Sequence, residues 1–291
     1  MVASLTRGRY YYFKLIASYL TLSWAAYVLS LFCSSASPQR PPPPSPSPPP
    51  PSPSPPSPSP PSPSPPPPSP SPPTTSSPLL PAAYPEDPNA WYCPGAFDLA
   101  SSTWQDCSGN GNTATLSGSG LAESRSVGHG ATSEVLALSG TTSSRISFGA
   151  VIPSAFTVCS VTRYTGGAKR RILMGGGGTN WLHGHFNGWA GVAYYVGDVK
   201  TKWGQTNVSP NTDWVVMCGT NAGSQMTLVN GVDVGTIKAG GTGGVSLFVN
   251  NGWYGAVQES DFAIAEVVVW PRGLTDDEMR GVSEHINNRL G

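Results

Sequence analysis

From Asp87 onward the chain alternates short apolar runs with Gly-, Asn- and Ser-rich breaks. Ile146–Phe148, Phe156–Val161, Arg171–Met174, Val192–Val196, Trp214–Cys218 and Phe262–Trp270 are such runs. Segments rich in β-branched and aromatic residues, bounded by turn formers, read as strands. Met226–Val229 and Val232–Val234 flank Asn230-Gly231, and Asn-Gly between alternating runs predicts a type I′ hairpin. Many short strands with no long helical pattern between them predict an all-β sandwich or jelly roll. One helix is expected at the end. Thr275 and Glu278 form a capping box, Asp276 and Asp277 favour the positive helix end, and Gly291 suits the residue after the last turn. Met279, Val282, Ile286 and Leu290 supply its apolar stripe.

The first third of the chain has a different pattern. Residues 1–36 read as a targeting segment: Arg7, Arg9 and Lys14 precede an uncharged apolar stretch, Leu15–Phe32, and Ser34-Ser35-Ala36 offers a small-residue cleavage site. A cleaved signal peptide is favoured. An uncleaved signal-anchor is the alternative, because the apolar stretch approaches membrane-spanning length, and it leaves the domain on the same exterior side. A membrane association is expected only in that case. Residues 41–73 contain only proline and serine. Proline fixes φ and removes a donor, which leaves polyproline II. At about 3.1 Å per residue, such a rod reaches roughly 100 Å. The expected organisation is therefore 1–36 signal or anchor, 37–85 Pro/Ser-rich rod and linker, and 86–291 a single β domain.

Composition changes this picture in two ways. The formal net charge is zero, but Arg7, Arg9, Lys14 and Arg40 precede the domain while every carboxylate lies at or after Glu86. The domain thus holds twelve Lys/Arg against sixteen Asp/Glu. That balance argues against a nucleic-acid partner, and the lone basic run, Lys169-Arg170-Arg171, reads as a solvated strand edge. Cys33 belongs to the targeting segment, leaving Cys93, Cys107, Cys159 and Cys218. An even count in an exported domain implies disulfides. Of three possible pairings, Cys93–Cys107 and Cys159–Cys218 are favoured. Asn207-Val208-Ser209 is the only N-glycosylation sequon, so Asn207 is the expected glycosylation site.

Two stretches carry a resemblance. Trp104-Gln105-Asp106-Cys107-Ser108-Gly109-Asn110-Gly111-Asn112 and Ile264-Ala265-Glu266-Val267-Val268-Val269-Trp270-Pro271-Arg272-Gly273-Leu274-Thr275 resemble the opening and closing segments of laminin-G-like, concanavalin A-like jelly rolls. The rod is similar to the hydroxyproline-rich rods of pherophorin- and extensin-type wall glycoproteins. The resemblance implies a concanavalin A-like jelly-roll sandwich with one C-terminal α-helix, secreted into a cell wall or matrix. It also raises a structural calcium ion, with Asp98, Asp106 and Glu266 as candidate ligands, although no cofactor is required and a hydrogen bond serves Glu266 equally. Read as a regular strand, 262–270 places Phe262, Ile264, Glu266, Val268 and Trp270 on one face and Ala263, Ala265, Val267 and Val269 on the other.

Glucanases of this superfamily carry E-x-D-x-x-E on one strand. Glu259-Ser260-Asp261 begins that pattern, but Ile264 occupies the third acidic position, so no catalytic residues are assigned and the chain is read as a non-enzyme. His183-Gly184-His185 places two imidazoles two residues apart, without an evident third metal ligand. Sugar binding uses aromatic faces with amides or carboxylates beside them. Two segments have that makeup: Trp181, His183, His185, Asn187 and Trp189 in one, and Asn250, Asn251, Trp253 and Tyr254 in the other, with Trp203 as a further candidate. Trp214 and Trp270 lie inside apolar runs and read as core. The first functional reading is a lectin-like module binding an extracellular glycan or matrix glycoprotein. A protein-binding adhesion domain and a divergent glycosidase are the alternatives.

Overall fold

The structure is a computed structural model, and it describes residues 78–201, 208–224, 226–238, 240–252 and 258–291, apart from the side chains of Asp198 and Val199. The expected targeting segment, the Pro/Ser-rich stretch 41–73, Trp203, Asn207, Trp253 and Tyr254 lie outside the described residues. In chain order the strands are β1 (Ala90–Tyr92), β2 (Phe97–Asp98), β3 (Thr103–Trp104), β4 (Ala114–Gly118), β5 (Ala122–Gly128) and β6 (Ala131–Gly140). β7 (Ser144–Ile152), β8 (Thr157–Tyr164), β9 (Leu173–Gly175), β10 (Trp181–Phe186), β11 (Trp189–Tyr195) and β12 (Asp198–Val199) follow. The last are β13 (Val215–Thr220), β14 (Leu228–Val229), β15 (Val232–Asp233), β16 (Val245–Val249) and β17 (Phe262–Trp270), before helix α1 (Asp276–Leu290).

These strands form two antiparallel sheets. The first runs β15-β14-β13-β8-β17-β6-β5, with β1 taking over from β6 along the later half of β17. The second runs β12-β11-β10-β9-β16-β7-β4-β3-β2. The all-β class with one terminal helix matches the strand and helix patterns in the sequence. At the predicted hairpin, Asn230 and Gly231 adopt φ of 47° and 80° between paired Val229 and Val232.

Two cores hold the domain together. The core between the sheets contains Trp104, Ile146, Phe148, Phe156, Val158, Tyr164, Trp181, Tyr195, Val215, Met217, Leu247, Phe262, Ile264, Val267 and Val269. The second core lies where α1 covers the outer face of the first sheet, and includes Trp91, Cys159, Val161, Trp214, Cys218, Val268, Trp270, Met279, Val282 and Ile286. The helix begins as its sequence dictates. Thr275 Oγ1 accepts from the Glu278 amide, and the Glu278 carboxylate accepts from the Thr275 amide. Trp214 and Trp270 are core residues as expected, but of this helix-covered core rather than of the space between the sheets.

The regular alternation expected along 262–270 is corrected by a β-bulge between Ile264 and Glu266 in the pairing with β8. One extra residue reverses the facing of everything beyond it. Val267 and Val269 therefore join Phe262 and Ile264 between the sheets, while Val268 and Trp270 face α1 with Ala263 and Ala265.

Both expected disulfides are present, Cys93–Cys107 and Cys159–Cys218. The second joins directly paired residues of β8 and β13 beneath α1. Disulfides of this kind point to an oxidising, extracellular setting. No described helix is long and apolar enough to cross a membrane.

Candidate functional site

Strand β9 lies between β10 and β16, and its pairing brings the two sequence-predicted segments to one end of the second sheet. His183 pairs with Leu173, and Val249 pairs with Leu173 from the other side. Continuing past these pairs, Phe186 and Asn250 flank the stretch Arg170–Ile172. The amide of Asn187 donates to the Arg170 carbonyl at 3.2 Å, and the amide of Arg171 donates to the Gln258 carbonyl at 3.0 Å. The Arg170 amide donates to Ser260 Oγ at 2.8 Å.

At this end β10 and β11 are joined by Asn187 and Gly188 alone. Their φ values of 49° and 84°, between paired Phe186 and Trp189, make a two-residue Asn-Gly turn of the type predicted at Asn230-Gly231. The short turn holds two half-buried aromatics together, Phe186 and Trp189, with ring centroids 6.0 Å apart and planes at 66°. Polar groups surround them. Lys169 Nζ donates to Asn211 Oδ1 at 2.7 Å, and Asn211 Nδ2 donates to the Gly188 carbonyl at 2.6 Å. The Arg170 guanidinium donates to Asn187 Oδ1. Arg171 is buried, with its guanidinium 5.2 Å from the centroid of the Phe186 ring. Tyr164 donates its hydroxyl to the Arg170 carbonyl, and burial raises its pKa well above the ordinary phenol value.

The remaining predicted residues occupy different places. Trp181, His183 and His185 are fully buried, which corrects their place in the expected sugar-binding set, where a stacking ring has to reach the surface. They alternate with Leu182 and Gly184 along β10, so they share a face, and that face points at the first sheet. Trp181 stacks on Tyr195 at 5.2 Å, because a ring of that size fills the space between the sheets. The two imidazoles do not present themselves as surface metal ligands. His183 bonds Tyr195 Oη through Nδ1 at 2.8 Å and the Met217 carbonyl through Nε2 at 3.2 Å. His185 bonds Thr162 Oγ1 at 3.3 Å and meets the Tyr164 ring edge-on at 4.6 Å. Burial lowers the His183 pKa to about 4 and that of His185 to about 3, the latter also through the neighbouring His183.

Asn250 is buried as a staple. Its amide donates to the carbonyls of Thr141 and Ser260, and its Oδ1 accepts from the Ser260 amide. Asn251 is exposed beside it. Asn187, Trp189 and Asn251 are therefore the described members of the predicted set that reach the surface, and they lie at the same end of the sheet. Phe186, Asn211 and the run Lys169–Arg171 join the site without having been expected there from sequence. The Asn187-Gly188 pair is the signal that marks this turn.

The carboxylates named as calcium candidates all accept hydrogen bonds from protein donors. Asp106 Oδ1 accepts from the amides of Trp91 and Ser108 and from Ser108 Oγ, and its Oδ2 accepts from the Asn112 amide. Glu266 Oε1 accepts from the Tyr84 hydroxyl at 2.9 Å and the Trp91 indole at 2.7 Å, while Oε2 takes the Arg289 guanidinium. Asp98, the third candidate, is exposed and accepts from the Ala100 amide. Among the described residues no three His, Cys, Asp or Glu side chains are placed to share a metal.

The carboxylates that begin the glucanase-like pattern are likewise committed elsewhere. Glu259 pairs with Arg145, and Asp261 accepts from the amides of Ala168 and Thr142. Glu266, held by Tyr84, Trp91 and Arg289, shares none of these partners.

No protein-family profile and no curated protein matches the chain. Several solved structures are similar to it. A mutant of Trypanosoma rangeli sialidase displaying trans-sialidase activity has 13% identity and a TM-score of 0.44, covering 68% of this chain and 33% of its own. Domain 4 of AbnA, an extracellular arabinanase from Geobacillus stearothermophilus, in complex with arabinotriose, has 16% identity and a TM-score of 0.43, covering 67% of this chain and 98% of its own. The binding domain of Paraclostridial Mosquitocidal Protein 1 has 12% identity and a TM-score of 0.43, covering 68% of this chain and 52% of its own. The chain thus spans about a third of the length of the sialidase.

Proposed function

We propose that the β domain is an extracellular glycan-binding module, carried on a Pro/Ser rod in a cell wall or matrix. The observation that supports this reading best is the Asn187-Gly188 turn, which sets Phe186 and Trp189 beside the amides of Asn187 and Asn211 and the cations of Lys169 and Arg170. Aromatic faces cover the C–H surfaces of a sugar, and amides and cations orient its oxygens. Secretion follows from the targeting segment and the rod, and the two disulfides agree with it.

The test is a glycan-array measurement on the full chain, in parallel with Trp189→Ala. Binding to at least one glycan, lost in the variant, is the expected result. Absence of binding across the array, or binding unchanged by Trp189→Ala, would overturn the reading.

A further inference from the structure

We propose that the site selects acidic polysaccharide, a sugar chain bearing carboxylate or sulfate groups, with Lys169 and Arg170 contacting the anions. This rests on the glycan-binding reading above and specifies its ligand class.

The domain is acidic overall, yet three successive cations stand where the aromatic turn is. The oxygens that receive Lys169 Nζ and the Arg170 guanidinium belong to the neutral amides of Asn211 and Asn187. An ammonium or guanidinium gains more from a carboxylate or sulfate, which accepts a charge-assisted and, for arginine, two-pronged hydrogen bond. The carboxylates in adjoining segments have other donors: Glu259 has Arg145, and Asp261 has the amides of Ala168 and Thr142. Asp213 acts electrostatically on Arg163, whose guanidinium lies 5.2 Å from the centroid of the Trp214 ring.

Position supports the same conclusion. Arg170 is exposed and Lys169 half-buried, so both reach solvent at the turn. Asn187 and Asn211 hold the two side chains against the turn rather than leaving them to sweep freely. Preorganised cations lose less conformational entropy when an anion arrives.

The test uses the full chain and two acidic polysaccharides, polygalacturonate for carboxylate and dextran sulfate for sulfate. Arabinan and laminarin serve as neutral comparisons, and polyglutamate as an acidic chain without sugar. Binding to one or both acidic polysaccharides is expected, falling at least tenfold in the double variant Lys169→Gln/Arg170→Gln and weakening as salt rises. Arg170→Lys keeps the charge but loses the two-pronged geometry, so it is expected to retain only part of the binding, and circular dichroism of each variant reports the fold. Which acidic polysaccharide binds identifies the anion. Preference for the neutral glycans, or no change in the double variant, would overturn the acidic ligand while leaving the glycan reading intact. Equal retention of polyglutamate would reduce the effect to bulk charge and overturn the proposal. Binding to no polysaccharide would overturn both readings.

Discussion

Arg289, in the last turn of α1, donates from the surface to the carboxylate of Glu266 at the bulge of β17. Glu266 is fully buried while Arg289 keeps a 37% exposed side chain. The same carboxylate receives the Tyr84 hydroxyl and the Trp91 indole. One buried charge therefore joins the entry of the domain, its closing strand and its terminal helix. Removing one partner of such a pair leaves an uncompensated charge. Arg289→Ala is expected to cost about 3 kcal/mol, the low end for buried pairs because Arg289 is partly solvated. Urea unfolding at constant m-value measures it. Glu266→Gln, which keeps acceptors for Tyr84 and Trp91, is expected to cost less.

The buried histidines make stability depend on pH. Burial holds His183 and His185 neutral in the folded state, with pKa values of about 4 and 3, whereas an unfolded histidine titrates near 6.5. Below pH 6.5 the unfolded chain therefore binds more protons than the folded one, and stability falls as pH falls. Stability is fully retained above the unfolded value and is lost progressively down to the folded values. The slope is about 1.4 kcal/mol per pH unit for each histidine. Thermal unfolding between pH 6.5 and 5, where carboxylates remain ionised, isolates the effect. His185→Asn is expected to remove about half of that slope, and an unchanged slope would contradict the assignment.

The Cys159–Cys218 bridge closes a sequence separation of 59 residues between neighbouring strands of the helix-covered core. Its loss relaxes the unfolded chain and unpacks two buried residues. Cys159→Ala/Cys218→Ala is expected to lower stability by about 2–5 kcal/mol, read from the denaturant midpoint.

Trp181 and Trp189 lie eight positions apart and have opposite roles. Trp181 is fully buried against Phe156 and Tyr195. Trp181→Ala is expected to cost about 3–5 kcal/mol through the cavity it leaves. Trp189→Ala, at a half-buried turn position, is expected to lose glycan binding with a much smaller change in melting temperature. The reverse pattern would exchange the roles given to the two rings.

Local chemistry is what a sequence displays, and the features of this fold that depend on it were legible. The Thr275–Glu278 capping box, the Asn230-Gly231 hairpin and the strand runs all follow from neighbouring residues. The bulge at Ala265 does not, because it is a register shift against β8, a strand about a hundred residues earlier. The facing of Trp181, His183 and His185 has the same difficulty. Their alternation shows that they share a face, but Tyr195, Met217 and Thr162 decide that the face is interior. The flanking amides and glycines, which suggested exposure, belong to the turns at either end of β10. The surface cluster was hidden for a related reason. Lys169–Arg171 and Asn211 meet Phe186–Trp189 only through the pairing of distant segments, although Asn187-Gly188 signals the turn itself.

Hydrogen exchange on the full chain, with and without a bound polysaccharide, locates the binding surface without relying on any substitution. Slowed exchange is expected in peptides covering residues 169–171, 186–189 and 250–258, with the amides beneath α1 unchanged. Protection confined to the helix-covered face or to the β5–β6 hairpin, with none at the Asn187-Gly188 turn, would contradict a glycan site at the end of the second sheet.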